Sequence, residues 1–232
     1  MSKLFISVFV VAAIAISCNK ELSATNDPTT KPVTDSSKYM SFTPTSSWTY
    51  QEIDHTNKDT SEYILTSTNR DTIVAARTYH VFTDSDSSNI LYNITGNDYY
   101  TFSNLTASLG GKPIEMLYLK DSSAINTSWN QSYSISVSGL PVVITLTNII
   151  AEKNINKIIN GITYPNVIHV NSKISATTLG IPVPDNTIKN TIDYYFAKKY
   201  GMIQGIRKVS FALGAADENT DIEINLLKAN IK

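Results

Sequence analysis

The chain has 232 residues with 20 acidic, 19 basic and three histidine side chains, a formal net charge of −1 and one cysteine. A nearly neutral protein has little electrostatic attraction to nucleic acid, so no nucleic acid is expected as a partner. One cysteine cannot form an internal disulfide, and the fold must therefore depend on a hydrophobic core.

The first predicted element is a signal peptide at residues 1–17. Its uncharged run from Leu4 to Ile16 follows a short start with one cation and is too short to span a bilayer, which takes about 20 helical residues. Ser17 is a small residue directly before Cys18, and this arrangement resembles the signal of bacterial lipoproteins. The resemblance implies that Cys18 is acylated and anchors the protein to a membrane. An ordinary secretory signal with an incidental thiol is the alternative.

Residues 18–38 are predicted to be the lipidated cysteine and a disordered tether. Ser, Thr, Asn, Asp and Pro dominate this segment, and such a composition cannot bury enough apolar surface to order itself. A flexible chain of about twenty residues has a root-mean-square reach of roughly 25 Å. The run Asn19, Lys20, Glu21 resembles the export signal of Bacteroidota lipoproteins. It implies an outer-membrane lipoprotein, with the cell surface and the periplasmic face both left open.

Residues 39–232 are predicted to form a single all-β domain. Apolar and polar residues alternate with a period of two in segment after segment, and short turns such as Gly96-Asn97 separate these segments. Parallel neighbours would need helical crossovers, so we expect an antiparallel meander of about a dozen strands, curled into a half-barrel or barrel. Few or no helices are expected, the best candidate being Phe102 to Gly111. The predicted strands begin at Ser46, Glu62, Arg77, Ile90, Asp98, Pro113, Ser128, Pro141, Asn166, Asn190, Gly201 and Asp221.

The sequence contains no motif that indicates a catalytic, metal or cofactor site, and we expect no enzyme. The three histidines, in separate strands or strand ends, have no carboxylate or cysteine at ligand spacing. Asp84 and Asp86 have the Asp-x-Asp spacing of a calcium loop, but the glycine and glutamate that complete the pattern are missing. A solvated hairpin loop is the commoner explanation, and calcium binding there is left open.

Three apolar residues in a loop-like segment are candidates for a ligand rim. Leu179, Ile181 and Val183 alternate with one glycine and two prolines in TTLGIPVPDN, where the chain cannot be a central strand. They either cap the core or border a cavity at a barrel mouth. The second possibility predicts a module that binds an apolar small molecule or lipid.

A competing prediction is a surface module for glycan or protein, built on exposed aromatics. Its candidate residues are Tyr99, Tyr100, Tyr194 and Tyr195, two adjacent pairs in which the side chains point to opposite faces of a strand. We favour the ligand-binding module because a curled sheet of about a dozen strands readily encloses a cavity. The oligomeric state is left open.

Scattered segments resemble those of other exported proteins. SSWTY near the domain start, YPNVIHV in the second half and DYYFAKKYGMIQG near the end resemble a group of Bacteroidota lipoproteins with an early Trp-x-Tyr strand and a late Tyr-Tyr hairpin. A sheet of this kind is also similar to the half-barrels of lipoprotein carriers, which hold acyl chains on a concave face. This second resemblance concerns the fold alone.

Overall fold

The computed structural model describes residues 37–104, 113–137, 139–213 and 216–232. The predicted signal peptide, Cys18 and the tether up to residue 36 lie outside the described residues, as do residues 105–112 of the candidate helix. Phe102, the first residue of that candidate, is in a strand. The strands are β1 Ser47–Asp54, β2 Asp59–Val74, β3 Arg77–Thr83, β4 Asn89–Thr95, β5 Asp98–Asn104, β6 Pro113–Lys120, β7 Ser128–Val137, β8 Leu140–Ile159, β9 Ile162–Thr178, β10 Ile181–Pro182, β11 Ile188–Ala197, β12 Gly201–Leu213 and β13 Ala216–Asn230.

These strands form one antiparallel sheet that is nearly closed into a barrel. Its order is β6-β5-β4-β3-β2-β1-β13-β12-β11-β9-β8-β7, and the short β10 pairs with β9. The first and last strands, β1 and β13, pair with each other in the middle of this order. The predicted fold class, an all-β antiparallel meander curled into a barrel, is confirmed.

Because neighbouring strands are antiparallel, successive turns lie at alternate ends of the barrel. We call one end the closed end; it holds the turns at residues 75–76, 96–97, 160–161 and 198–200. We call the other end, which the N-terminal residues described below do not cover, the open end; its connections among the described residues include 55–58, 84–88 and 179–187. The described chain starts at the closed end, next to the turn between β11 and β12.

Residues 37–46, the N-terminal segment, cover the closed end. The backbone N–H of Lys199 donates to the carbonyl oxygen of Lys38 at 2.6 Å, and the backbone N–H of Tyr39 donates to the hydroxyl of Tyr99 at 3.0 Å. Tyr39 and Met40 are buried. Lys38, the last residue of the predicted tether, is therefore already attached to the barrel.

The hairpin of β8 and β9 is longer than the sequence pattern predicts. The predicted strands end at Ile150 and begin at Asn166, whereas the ladder continues to the turn at Asn160 and Gly161. Both turn residues have positive φ, 51° and 79°, as in the type I′ turns that Asn-Gly favours. Three register shifts bend this hairpin, and Nδ2 of Asn160 reaches the carbonyl oxygen of Leu226 in β13 at 3.4 Å.

The interior contains two packed hydrophobic clusters. The larger one, rich in aromatic residues, includes Trp48 and Trp129, and the prediction that both tryptophans are buried is confirmed. The smaller one lies nearer the open end and is mainly aliphatic; it comprises Ile114, Met116, Ile135, Val137, Val142, Ala176, Ile188, Ile192, Val209 and Phe211. The part of the chain that the structure describes has no helix with the length and apolarity needed to cross a bilayer.

Candidate ligand-binding cavity

The two clusters leave a cavity of about 140 Å³ inside the barrel. Met40 of the N-terminal segment contributes to its lining at the closed end. The other lining residues point inward from the strands because alternate side chains of a strand share one face. Apolar and aromatic residues of the lining include Tyr50, Tyr63, Leu65, Ile90, Tyr92, Ile114, Met116, Tyr118, Tyr133, Ile144, Leu146, Ile174, Ala176, Ile188, Ile192, Tyr194, Phe196, Met202, Val209 and Phe211.

The tyrosines of the lining are neutral at physiological pH. Burial raises the pKa of Tyr92 to about 12, and the pKa of Tyr50 and of Tyr118 well above the ordinary value. Tyr50 donates its hydroxyl hydrogen to the carbonyl oxygen of Met202 at 2.9 Å. The walls thus present aromatic surface without negative charge.

Polar residues also line the cavity, midway between its two ends. Four residues on neighbouring strands are register partners in turn and form one row across the sheet. Asn148 of β8 pairs with Ser172 of β9, and Ser172 pairs with Ile192 of β11. Ile192 pairs with Arg207 of β12. The Ser172 hydroxyl donates to Oδ1 of Asn148 at 2.5 Å. We call Asn148, Ser172 and Arg207 the polar row.

The carboxyl group of Glu52, on β1, lies close enough to Arg207 for the charge of the guanidinium to affect its pKa. Burial raises the pKa of Glu52 by more than the positive charge of Arg207 lowers it, and the charge of Asp54 raises it further. The pKa of Tyr194 is raised because burial raises it by more than the charge of Arg207 lowers it. Arg207 is therefore a buried cation whose charge acts on two neighbouring side chains, Glu52 and Tyr194.

The structure places the three predicted rim residues at the open end. Leu179 and Ile181 are 69% and 67% exposed, and Ile181 belongs to β10, which pairs with the end of β9. Val183 is half-buried, packs against the aliphatic cluster, and its backbone N–H donates to the carbonyl oxygen of Ala176 at 2.9 Å. Leu140, in the neighbouring strand β8, is also exposed.

The four candidate surface tyrosines divide between the two faces of the sheet. Tyr99 is fully buried and donates its hydroxyl hydrogen to Asp121 at 2.6 Å, so its inclusion among exposed aromatics is wrong. The residue lies under the N-terminal segment, whose position the sequence pattern does not reveal. Tyr194 lines the cavity.

The other two candidate tyrosines, Tyr100 and Tyr195, are contacted by cations of the same chain. The guanidinium of Arg77 lies 3.8 Å from the ring centroid of Tyr100. Nζ of Lys157 lies at the same distance from that of Tyr195, whose ring also stacks on His169. A partner that uses these rings must displace intramolecular contacts.

A Ser-His-Asp chain occurs beside the N-terminal segment and was not predicted from the sequence. Oγ of Ser67 lies 2.9 Å from Nε2 of His80, and Nδ1 of His80 lies 2.7 Å from Oδ1 of Asp71. A catalytic serine must be reachable by substrate, but Ser67 is only 1% exposed. Its hydroxyl also donates to the carbonyl oxygen of Phe42, whose ring stacks on His80. These contacts of Ser67, His80 and Phe42 therefore attach the N-terminal segment to β2 and β3.

The other two histidines, His55 and His169, and the acidic candidates are used in local contacts; Nε2 of His55 lies 3.6 Å from Oε2 of Glu223. His169 binds Glu152 and Asp193 through opposite ring nitrogens, so the two carboxylates do not converge on one point. Oδ1 of Asp84 accepts the backbone N–H groups of Asp86 and Ser88, as expected of a hairpin loop. Within the described ranges no three His, Cys, Asp or Glu side chains are placed to hold a metal ion.

Sequence reasoning did not single out the polar row, although the period of two contains the signal. In GIRKVSF, Arg207 shares a face with Val209 and Phe211, and in VITLTNII, Asn148 shares a face with Leu146 and Ile150. An arginine or asparagine on the apolar face of a strand is buried by the fold and must be compensated there.

Comparison with known proteins supports the fold. No family model matches the chain, and no curated protein does either. Among solved structures, the fold is similar to a "putative lipoprotein" from Parabacteroides distasonis, with 9% sequence identity and a TM-score of 0.50. The similarity covers 84% of this chain and 99% of that one. At this identity it is a likeness of fold.

Proposed function

We propose that this protein is a membrane-anchored lipoprotein whose β domain binds an apolar small molecule or lipid and catalyses no reaction. The cavity of about 140 Å³ carries the proposal. An engineered cavity of about 150 Å³ lined by apolar side chains stays dry and binds benzene. This interior therefore suits a ring or a short stretch of acyl chain, with any longer ligand extending through the open end.

The exposed residues of the open end support this role. Leu179 and Ile181 project apolar side chains into solvent beside the end of β9, and burial of such surface against a ligand is favourable by about 25 cal/mol per Å². They adjoin the aliphatic cluster through Val183. Members of that cluster, among them Ala176 and Ile188, line the cavity, so the segment lies next to the cavity wall.

The lipid anchor rests on the N-terminal pattern and on the fold likeness to a protein described as a lipoprotein. The described chain starts at the closed end, so a tether from Cys18 would hold that end towards the membrane and leave the open end facing away. We place the protein at the outer membrane; the periplasmic face and the cell surface are both compatible with this arrangement.

The anchor is tested by mass spectrometry of the mature N-terminus and by fractionation of the Cys18→Ala variant. We expect Cys18 to be the first residue and to carry acyl chains, and the variant to lose its lipid. A cleaved, soluble wild-type protein with a free Cys18 thiol would refute the lipid anchor and leave the proposal of a ligand-binding cavity unaffected.

Ligand binding is tested with an apolar fluorescent probe, N-phenyl-1-naphthylamine, and a matched pair of variants. Ala176→Phe places a ring in the cavity, whereas Val143→Phe places one on the outer face of the adjacent strand β8. We expect Ala176→Phe to weaken probe binding about tenfold or more, equivalent to about 1.4 kcal/mol, and Val143→Phe to leave it unchanged.

Equal binding by both variants, or no binding by the wild type, would refute the cavity as the ligand site. Glycan-array binding that is lost in Tyr195→Ala would then favour the surface module instead.

A further inference from the structure

We propose that the ligand is an anionic amphiphile of the fatty-acid class, bound with its carboxylate at the polar row of Asn148, Ser172 and Arg207 and its apolar chain directed towards the open end. This inference rests on the proposed function and specifies its ligand.

The side-chain amide of Asn148 supplies the first observation. Asn148 is 2% exposed and lines the cavity. Its Oδ1 accepts the Ser172 hydroxyl hydrogen, and its Nδ2 finds no acceptor among the described residues. A buried donor without an acceptor is unfavourable because it has lost its hydrogen bond to water without gaining another. A ligand oxygen at this point would remove that cost, whereas a hydrocarbon would not.

Arg207 supplies the second observation, on a different strand. It is 5% exposed, lines the same cavity and stays charged because a guanidinium does not lose its proton in proteins. A carboxylate is the group that its fork of donors recognises best. The charge of Arg207 also acts on the neighbouring Glu52, whose pKa is raised because burial outweighs that attraction, and a ligand carboxylate would add to the contacts that Arg207 already makes.

The strand register places these groups in one row of the wall of the same cavity. Ser172 and Arg207 are two strands apart in one row, a backbone separation of about 10 Å from two interstrand spacings. An arginine side chain is long enough to cover part of this separation. Ile192 lies between them and adds no competing polar group.

The direction of the apolar chain follows from the residues on either side of the row. Towards the open end the next inward residues are aliphatic, with Ile174 and Ala176 above Ser172 and Val209 above Arg207. Towards the closed end the cavity is limited by Met40, Met202 and the aromatic cluster. The aliphatic side belongs to the cluster against which Val183 of the predicted rim packs, so we expect the apolar part of the ligand to extend towards this end.

The test compares decanoate with decanol, two ligands that share a chain and differ in the head group. Binding to the full chain carrying Cys18→Ala, which needs no detergent if the anchor is as proposed, is measured by calorimetry at pH 8, where a carboxylic acid is ionised. We expect the wild-type cavity to prefer decanoate by about tenfold or more, as for a charge-assisted hydrogen bond in a buried site.

Three variants assign the preference to the polar row. Arg207→Met and Asn148→Leu should each reduce the ratio of decanoate to decanol affinity to about twofold or less while keeping decanol binding, since they remove the charge or the donor and keep the bulk. Lys208→Met, on the outward face of the same strand, is the matched control and should keep the full ratio. Far-UV circular dichroism checks folding, and either of the first two variants decides the outcome if the other does not fold.

Equal affinities of the wild type for decanoate and decanol would overturn the head-group inference and leave the proposed function standing. A preference for decanoate that survives both Arg207→Met and Asn148→Leu would also overturn it. If the wild-type protein binds neither decanoate nor decanol, the proposed function itself is refuted.

Discussion

The sheet has two junctions that are built in different ways. At the first, β1 and β13 pair through a backbone ladder that runs from Ser47 with Asn230 to Asp54 with Ile222. At the second, β6 and β7 stand at opposite ends of the strand order and are joined mainly by side chains. We call this second junction the seam. The first and last strands, far apart in sequence, thus form a full ladder, while the consecutive strands β6 and β7 do not.

At the seam, side chains of β7 take the place of a neighbouring backbone. Oε1 of Gln131 accepts the backbone N–H of Leu117 at 2.7 Å, and its Nε2 donates to the carbonyl oxygen of Glu115 at 3.2 Å. Trp129 and Tyr133 donate to the carbonyl oxygens of Leu117 and Glu115 at 2.8 and 2.9 Å. These contacts satisfy polar groups that an unpaired edge strand exposes.

The comparison shows where this barrel is easiest to open. A ladder is lost only if several backbone bonds break together, whereas the seam depends on three side chains that can rotate. Tyr133, one of the three, also lines the cavity. Weakening the seam should therefore affect local opening beside the cavity more than global unfolding.

The largest expected effect is at the terminal ladder. Trp48 of β1 is fully buried against Phe82, and Trp48→Ala should lower the free energy of unfolding by about 3–5 kcal/mol, as for other buried tryptophans. Urea denaturation measures the loss. A loss below about 1 kcal/mol, typical of surface changes, would show that the ladder region is not the stable part of the barrel.

A smaller effect is expected from the seam itself. Gln131→Leu removes both bonds to β6 and should cost about 1–3 kcal/mol for the backbone groups left unpaired. Hydrogen exchange of the Leu117 amide should accelerate. Gln51→Leu in β1, where backbone pairing continues on both sides, is the control and should change stability by less than about 0.5 kcal/mol. Equal effects of the two substitutions would remove the distinction between the junctions.

The smallest effect is expected from Tyr133→Phe and depends on pH. Burial, followed by the charge of Glu115, raises the pKa of Tyr133 to about 12. The unfolded chain therefore ionises this tyrosine first, and its contribution to stability is complete below pH 10, falls above it and is lost through pH 12.

At pH 8, Tyr133→Phe should cost about 0.5–1.5 kcal/mol for one hydrogen bond. The difference from the wild type should narrow by pH 11, because the variant has no such group to ionise. Urea midpoints at the two pH values measure this change. A difference that widens with pH would contradict the assigned direction of the pKa shift.

Local signals in the sequence were sufficient for the strands and for part of the site. Alternation predicted the segments around Trp48 and Trp129 and the burial of both rings, and proline and glycine marked Leu179 to Val183 as a loop, which the structure places at the open end. The extension of β8 and β9 was missed even though Asn160-Gly161 is a strong hairpin signal, because few aliphatic residues alternate cleanly in the Lys- and Asn-rich segment before it.

The sequence by itself determined the all-β class, the antiparallel order of most neighbours and the side of each strand on which a residue lies, because these depend on spacing along the chain. Only the tertiary structure decided that β1 pairs with β13, that β6 and β7 meet at a seam, and that Tyr99 lies beneath the N-terminal segment. It also decided that Asn148, Ser172 and Arg207 share one cavity. Each of these depends on contacts between residues far apart in the sequence, and a period of two says which face a side chain occupies but not what it meets there.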